Sequence, residues 1–415
     1  MTKMWFKFGR FSLVLVILIA MMGVALAGAC GGKKEETRVT VTIGHVTDQS
    51  GPASSAVKPM TYGLQDLAAY YNENDLIPGV YLKVIDYDTQ YDPSKDMTGW
   101  EFVKSKGAEV VVSELPSTIS ALKATAARDK IPVFSYSSQQ ADVDPPGWVF
   151  NFITSYGACI ETCLDWYLNT QWDYSQGKPK VGVVGWNDGS VLGYIDGVQK
   201  YAAAHPDKMV LGPMLTAPLG VMTWSSEVAQ TLDCDIVVPP PTSVSTSTFM
   251  REFRAAGGTA KFIWSDSHSA FLGFLVSDLG WAALDGIPGA DSYPWWNGQG
   301  SQVAALAKEL LGTYRSGEAA SIIAGGAGYL SVIANGDAMI QLIKATAERV
   351  GNENISGQTI YETATAGFSY TNPDGFKVSW NATKRVGGDN VIINRIDAAK
   401  KDFLPVSDWL PVVSL

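Results

Sequence analysis

The chain has 415 residues, 46% of them hydrophobic and 17% charged, and carries a formal net charge of -10. This composition is globular and neither disordered nor repetitive, and the length exceeds what one hydrophobic core usually holds, so two domains are expected. The acidic balance, with no basic run in the folded part, excludes nucleic acid as a partner, because that binding rests on Lys and Arg neutralising phosphates. Only three His (His45, His205, His268) and four Cys are present, without metal-ligand spacing, so neither a metal site nor a cofactor is expected. The 13 Trp and 17 Tyr exceed what packing alone needs, which points to some ligand-facing aromatics besides those that fill the core.

Lys3, Lys7 and Arg10 precede a continuously apolar run over residues 11–26, and Ala27-Gly28-Ala29 supplies the small residues a signal peptidase accepts. Residues 1–29 are therefore expected to be a signal peptide and 30–38 a linker. Cys30 comes directly after the cut and opens a polar run, a junction that resembles that of a bacterial lipoprotein, so lipid attachment is expected at Cys30. Such junctions usually carry Leu three residues before the cysteine, where this chain has Ala27. Plain secretion and a retained anchor stay open, since about 18 apolar residues span a bilayer. All three place the folded part outside the cytoplasmic membrane. Cys159 and Cys163, four apart on one helical face, suit a disulfide poorly, and with Cys234 they read as buried free thiols.

From residue 39 short apolar runs alternate with segments of helical period, the signature of mostly parallel sheets with helices on both faces. Strands are predicted over 39–46, 81–86, 110–112 and 132–134. The helix after the Ser50-Gly51-Pro52 turn puts Met60, Leu64, Leu67, Ala68 and Tyr71 on one face, and further helices are predicted near 93–104 and 117–128. A second series has strands over 180–184, 236–238 and 261–264, and helices that include 191–204 and 246–256. No long linker separates the series, so several short crossings are expected.

The loops at the strand ends carry more information than the strands. Residues 113–117, 135–139, 185–190, 239–242 and 265–268 are rich in Ser, Thr, Asp and amide side chains. In open α/β sheets ligands bind beyond the carboxyl ends of the strands, where helix N-termini present free N–H groups. These five loops are the expected site, although helix capping accounts for any one such residue equally well.

The chain from about residue 40 onward resembles the leucine/isoleucine/valine-binding family of type I periplasmic binding proteins, the receptors of ABC importers. The resemblance is carried by Ser50-Gly51-Pro52 with Gly63, by Asp86-Tyr87-Asp88 and then Asp92-Pro93, by Arg254-Ala255-Ala256-Gly257, and by Tyr329. It implies two lobes, expected over 39–153 plus 286–365 and over 154–285 plus 366–415, closing on a small-molecule ligand. It also implies that Ser137, Gln139 and Ser117 hold a ligand carboxylate from the first lobe while Asp266 holds an ammonium from the second. Where amino-acid binders carry aromatics this chain has Ala56, Ser190, Thr242 and Ala324, so Ser190 and Thr242 are expected to line an enlarged pocket that Trp186 refills. Tyr91 and Leu115 stand in place of paired cysteines, so that disulfide is absent.

The expected function is a receptor for an amino acid or similar small carboxylate or amide, attached to the membrane by a lipid and partnered with an ABC transporter permease. A sensor lobe for a signalling partner, and a binder of aromatic or aliphatic acids lacking nitrogen, are the alternatives. An enzyme is not expected, since no nucleophile elbow, phosphate loop or metal signature is present.

Overall fold

The computed structural model describes residues 38–137 and 139–413. The expected signal peptide, the start of the linker and Cys30 lie outside the described residues.

Two parallel sheets carry the architecture. The first has the order β2-β1-β3-β4-β5, built from β1 (Val39–Thr47), β2 (Val80–Asp88), β3 (Ala108–Ser113), β4 (Val133–Ser135) and β5 (Val149–Asn151), every neighbouring pair parallel. The central strands are buried on both faces, β1 without a break from Val41 to Thr47, which is why they read as continuous apolar runs and not as alternation. Helix Ser54–Glu73 covers one face with the stripe read from its spacing: Met60, Leu64, Leu67, Ala68 and Tyr71 are all buried.

The second sheet has the order β7-β6-β8-β9, from β6 (Lys180–Trp186), β7 (Val210–Ala217), β8 (Ile236–Val238) and β9 (Lys261–Phe262), again all parallel. One residue beyond β9, β10 (Trp264–Ser265) starts a mixed sheet of order β10-β11-β14-β15, completed by β11 (Pro288–Asp291), β14 (Asn390–Asp397) and β15 (Asp402–Pro411). Helices Tyr156–Thr170 and Gly189–Ala204 cross at two glycines: a Cβ on Gly197 would lie 2.5 Å from the Gly157 carbonyl oxygen, so only glycine permits that approach. Alternating helix and parallel strand in both halves, with right-handed crossovers expected for such units, is the type I periplasmic-binding-protein fold.

Sheet partners depart from the expected lobe boundaries at two places. The crossing expected at 286 comes too early, because β11 pairs in parallel with β10 (Trp264↔Gly289) and antiparallel with β14, and so belongs with the second series. The expected return at 366 is also too early. The hairpin of β12 (Phe368–Thr371) and β13 (Lys377–Trp380) packs on the first sheet: Trp380 meets Phe134, Phe150 and Phe152 at ring-centroid distances of 5.5, 5.8 and 6.2 Å. The Trp380 indole donates to the Asn151 carbonyl, and Asn151 N–H donates to Arg385 O. Burying each of these rings contributes roughly 1.5–3 kcal/mol, enough to decide which side the segment joins. Helices Gln302–Tyr314 and Asp337–Val350 are tied to helix Ser54–Glu73 by Arg315 to Asp66 (2.9 Å) and Tyr71 to Asp337.

Cys159, Cys163 and Cys234 are buried free thiols, and burial pushes all three up from the ordinary thiol range.

Candidate functional site

A cavity of about 90 Å³ opens where the strands of both parallel sheets end. Each of the five expected loops contributes to its wall: Glu114 and Leu115 after β3, Tyr136 and Ser137 after β4, Asp188 and Ser190 after β6, Pro241 and Thr242 after β8, Asp266 and Ser267 after β10. Tyr293 lies just past β11, and Ala53, Ala56, Val57 and Met60 come from the loop and first turns after β1. The convergence results from parallel pairing, which brings strand ends that are distant in sequence to one rim.

Four of the seven residues expected to hold ligand stand in this wall: Ser137, Ser190, Thr242 and Asp266. Three do not. Trp186, the last residue of β6, is 2% exposed and its indole donates to Val221 O at 2.8 Å, so it packs inside the second half and refills nothing. Gln139 is the N-cap of helix Gln140–Val143, in a capping box with Asp142, and its amide donates to Ser120 Oγ at 3.1 Å. A short helix needs its end satisfied, and that use turns Gln139 away from the cavity. Ser117 sits in the first turn of helix Pro116–Asp129, outside the wall, with its Oγ buried and unpartnered.

Asp266 does not cap the helix it begins. Ser265 is the N-cap of Asp266–Ser269, in a capping box with His268. The Asp266 carboxylate is 4% exposed; Oδ2 accepts from Ser292 Oγ at 3.1 Å, Oδ1 has no partner in hydrogen-bonding geometry, and the Ser267 N–H is a neighbour of the carboxylate. Burial, and then the neighbouring Asp291, raise its pKa well above the carboxylate range. Asp291 itself is pushed by burial to about 7, although Ser269 and Asn394 donate to it. Asp188 caps helix Gly189–Ala204 through Ser190 N (2.9 Å) and Val191 N (3.1 Å); burial outweighs those bonds and raises it to about 6.

Sequence reasoning named the loops but missed Glu114, Tyr136, Tyr156 and Tyr293 as wall residues. Glu114 accepts from His45 Nε2 at 2.6 Å and from Thr47 Oγ1 at 3.2 Å; the other His45 nitrogen lies 3.1 Å from Asp86, which Gln65 also reaches. Burial lowers the affinity of His45 for a proton, but Glu114 and Asp86 more than offset this and hold its pKa at about 10, so it is an imidazolium. The Tyr156 hydroxyl donates to Tyr136 O at 3.2 Å. A single acid in the loop after a β-strand was the available signal for Glu114. Among the described wall residues there is no Lys, Arg or His, and among the described residues no His, Cys, Asp and Glu cluster could hold a metal.

Two α/β halves with a polar-edged cavity at their shared strand ends define a ligand-binding protein of the two-lobed kind. The chain belongs to the periplasmic binding protein family, which it matches over residues 40–401. Its fold is shared with a branched-chain amino acid ABC transporter protein from Thermus thermophilus with bound valine, at 18% identity and a TM-score of 0.73, covering 90% of this chain and 97% of that one. A solute-binding protein from Rhodopseudomonas palustris BisB5 in complex with 3,4-dihydroxybenzoic acid is similar at 14% identity and TM-score 0.71, with coverages of 91% and 99%. A third, from R. palustris with benzoate, has 17% identity, TM-score 0.66 and coverages of 91% and 98%. No curated protein matches the chain.

Proposed function

We propose that this chain is the exported solute-binding receptor of an ABC importer, tethered to the outer face of the cytoplasmic membrane through Cys30, and that it closes on an amino acid, or on an amide or amine of similar size. One observation carries the ligand class: Asp266 presents to the cavity a buried carboxylate oxygen without a partner in hydrogen-bonding geometry, with the Ser267 N–H as its backbone neighbour. An unpaired buried carboxylate is costly, and a ligand ammonium or N–H group at that oxygen relieves the cost. Ser137 Oγ, on the opposite half, is likewise buried without a partner in hydrogen-bonding geometry, although the Tyr156 hydroxyl is its neighbour. A ligand reaching both atoms would bridge the halves, and binding would then drive closure.

A second reading, an aromatic or aliphatic acid without nitrogen, is favoured by the benzoate and dihydroxybenzoate bound in two proteins of similar fold. Such a ligand pairs with Asp266 only through the protonated carboxyl that the raised pKa favours, not through a charge. A thermal-shift screen of the purified protein against amino acids, amides, amines and nitrogen-free acids separates the two. A ligand at a hundred times its Kd stabilises by about 2.7 kcal/mol, which such a screen detects. Stabilisation confined to nitrogen-free acids would replace the first reading with the second.

A further inference from the structure

The first half of the cavity wall contains a carboxylate that pairing of Asp266 with a ligand does not use. Glu114 is 8% exposed, and both of its oxygens are engaged from behind, Oε1 by His45 and Oε2 by Thr47. A carboxylate has about four acceptor positions, so each oxygen keeps a lone pair for the cavity. Beside it in the same wall are two hydroxyls without a partner in hydrogen-bonding geometry, Tyr136 OH and Ser137 Oγ, the second with the Tyr156 hydroxyl as its neighbour, and both residues are at least nine-tenths buried. We propose that Glu114 is a specificity-determining residue, selecting ligands that present an N–H donor and no carboxylate to the first half of the cavity: a primary amide, an amine or an amidinium. This rests on the proposed nitrogen-solute function and narrows it by removing the free amino acids.

The wall chemistry supports the choice in three ways. A ligand carboxylate set against Tyr136 and Ser137 would lie beside Glu114 with no cationic side chain among the described wall residues to offset the repulsion. His45, the nearby cation, stands behind Glu114 and is already shared between Glu114 and Asp86. A primary amide matches the local inventory, because its oxygen accepts from a hydroxyl while its N–H₂ donates to Glu114. An amine or amidinium satisfies Glu114 by charge as well, and the same kind of group suits Asp266 at the far side. The intervening wall, with Ala56, Val57, Met60, Leu115 and Phe271, asks for an apolar body.

Two series of near-isosteric probes test this on the purified protein by titration calorimetry: benzoate, benzamide and benzamidine, and leucine, leucinamide and 3-methylbutylamine. The amide or cation is expected to bind at least roughly tenfold more tightly than the carboxylate in one series, and Glu114→Gln is expected to close most of that gap. A carboxylate that binds as well as its amide, or a gap unchanged by Glu114→Gln, overturns the inference and leaves the wider nitrogen-solute reading standing. Binding by none of the six overturns the inference for ligands of this size, and the wider nitrogen-solute reading then stands or falls on the thermal-shift screen. Should Glu114→Gln fail to fold, because His45 loses a partner, the double variant His45→Gln with Glu114→Gln removes the anion and cation together and carries the same comparison.

Discussion

His45 on β1 and Glu114, the residue after β3, lie with Nε2 and Oε1 2.6 Å apart in the interior, where the imidazole is fully excluded from solvent. The pair joins the frame of the first sheet to the cavity wall, so its disruption should be felt in stability as well as in binding.

Replacing His45 by Leu leaves Glu114 and Asp86 without their shared cation, and removing one partner of a buried pair costs about 3–5 kcal/mol. Chemical denaturation should show that loss at pH 6. The folded-state pKa of His45, about 10, lies above its ordinary 6.5. Its contribution is therefore complete below pH 6.5 and is lost as pH rises towards 10. The stability difference between wild type and His45→Leu should shrink across that window; a constant difference would contradict the charged state assigned to His45.

Asp266→Asn should act with opposite sign on stability and on binding. Without ligand the variant is expected to be more stable at neutral pH, because the substitution removes an acid that ionises freely in the unfolded chain but whose ionised form burial and Asp291 disfavour in the fold. Raised folded-state pKa values mean that both acids contribute stability at low pH that is lost as pH rises from about 4, through about 7 for Asp291. Binding of an amine ligand should weaken by about 2–5 kcal/mol, because its charge is left unpaired in a closed cavity. Calorimetry and thermal melts on the same variant check both signs.

Trp186→Ala should destabilise the fold by about 3–5 kcal/mol, the usual cost of emptying a buried indole site. Ligand preference should not change, because the indole packs against the segment around Val221 and does not reach the cavity. A changed order of preference across the probe series, at unchanged stability, would place Trp186 back in the site.

Cys30→Ser should release the protein from the membrane fraction if acylation is the tether. Retention of an uncleaved variant would show that residues 11–26 act as an anchor.

The loops that build the cavity were legible because parallel strands buried on both faces must be written as unbroken apolar runs, and the polar residues at their ends then mark the rim. That rule was enough to place Asp266, Ser137, Ser190 and Thr242. Trp186 and Gln139 obey the same rule and still point elsewhere, since the orientation of a side chain at a strand end depends on packing and on which helix end requires a cap. β11 was not visible as a strand: Pro288-Gly289-Ala290-Asp291 has no apolar run, and it pairs because a glycine over the Trp264 indole lets the backbones approach.

Order along the chain, the period of each apolar run and the polar residues after each strand are local properties, and they determined the fold class and the rim of the site. Partnership between distant residues is not local. The packing of Trp380 on Phe134 and Phe150 decided which half the segment from 368 to 388 joins, and the burial of His45 between Glu114 and Asp86 decided the charge in the first wall of the cavity. Both depend on desolvation, which acts only on groups that tertiary contact has already removed from water.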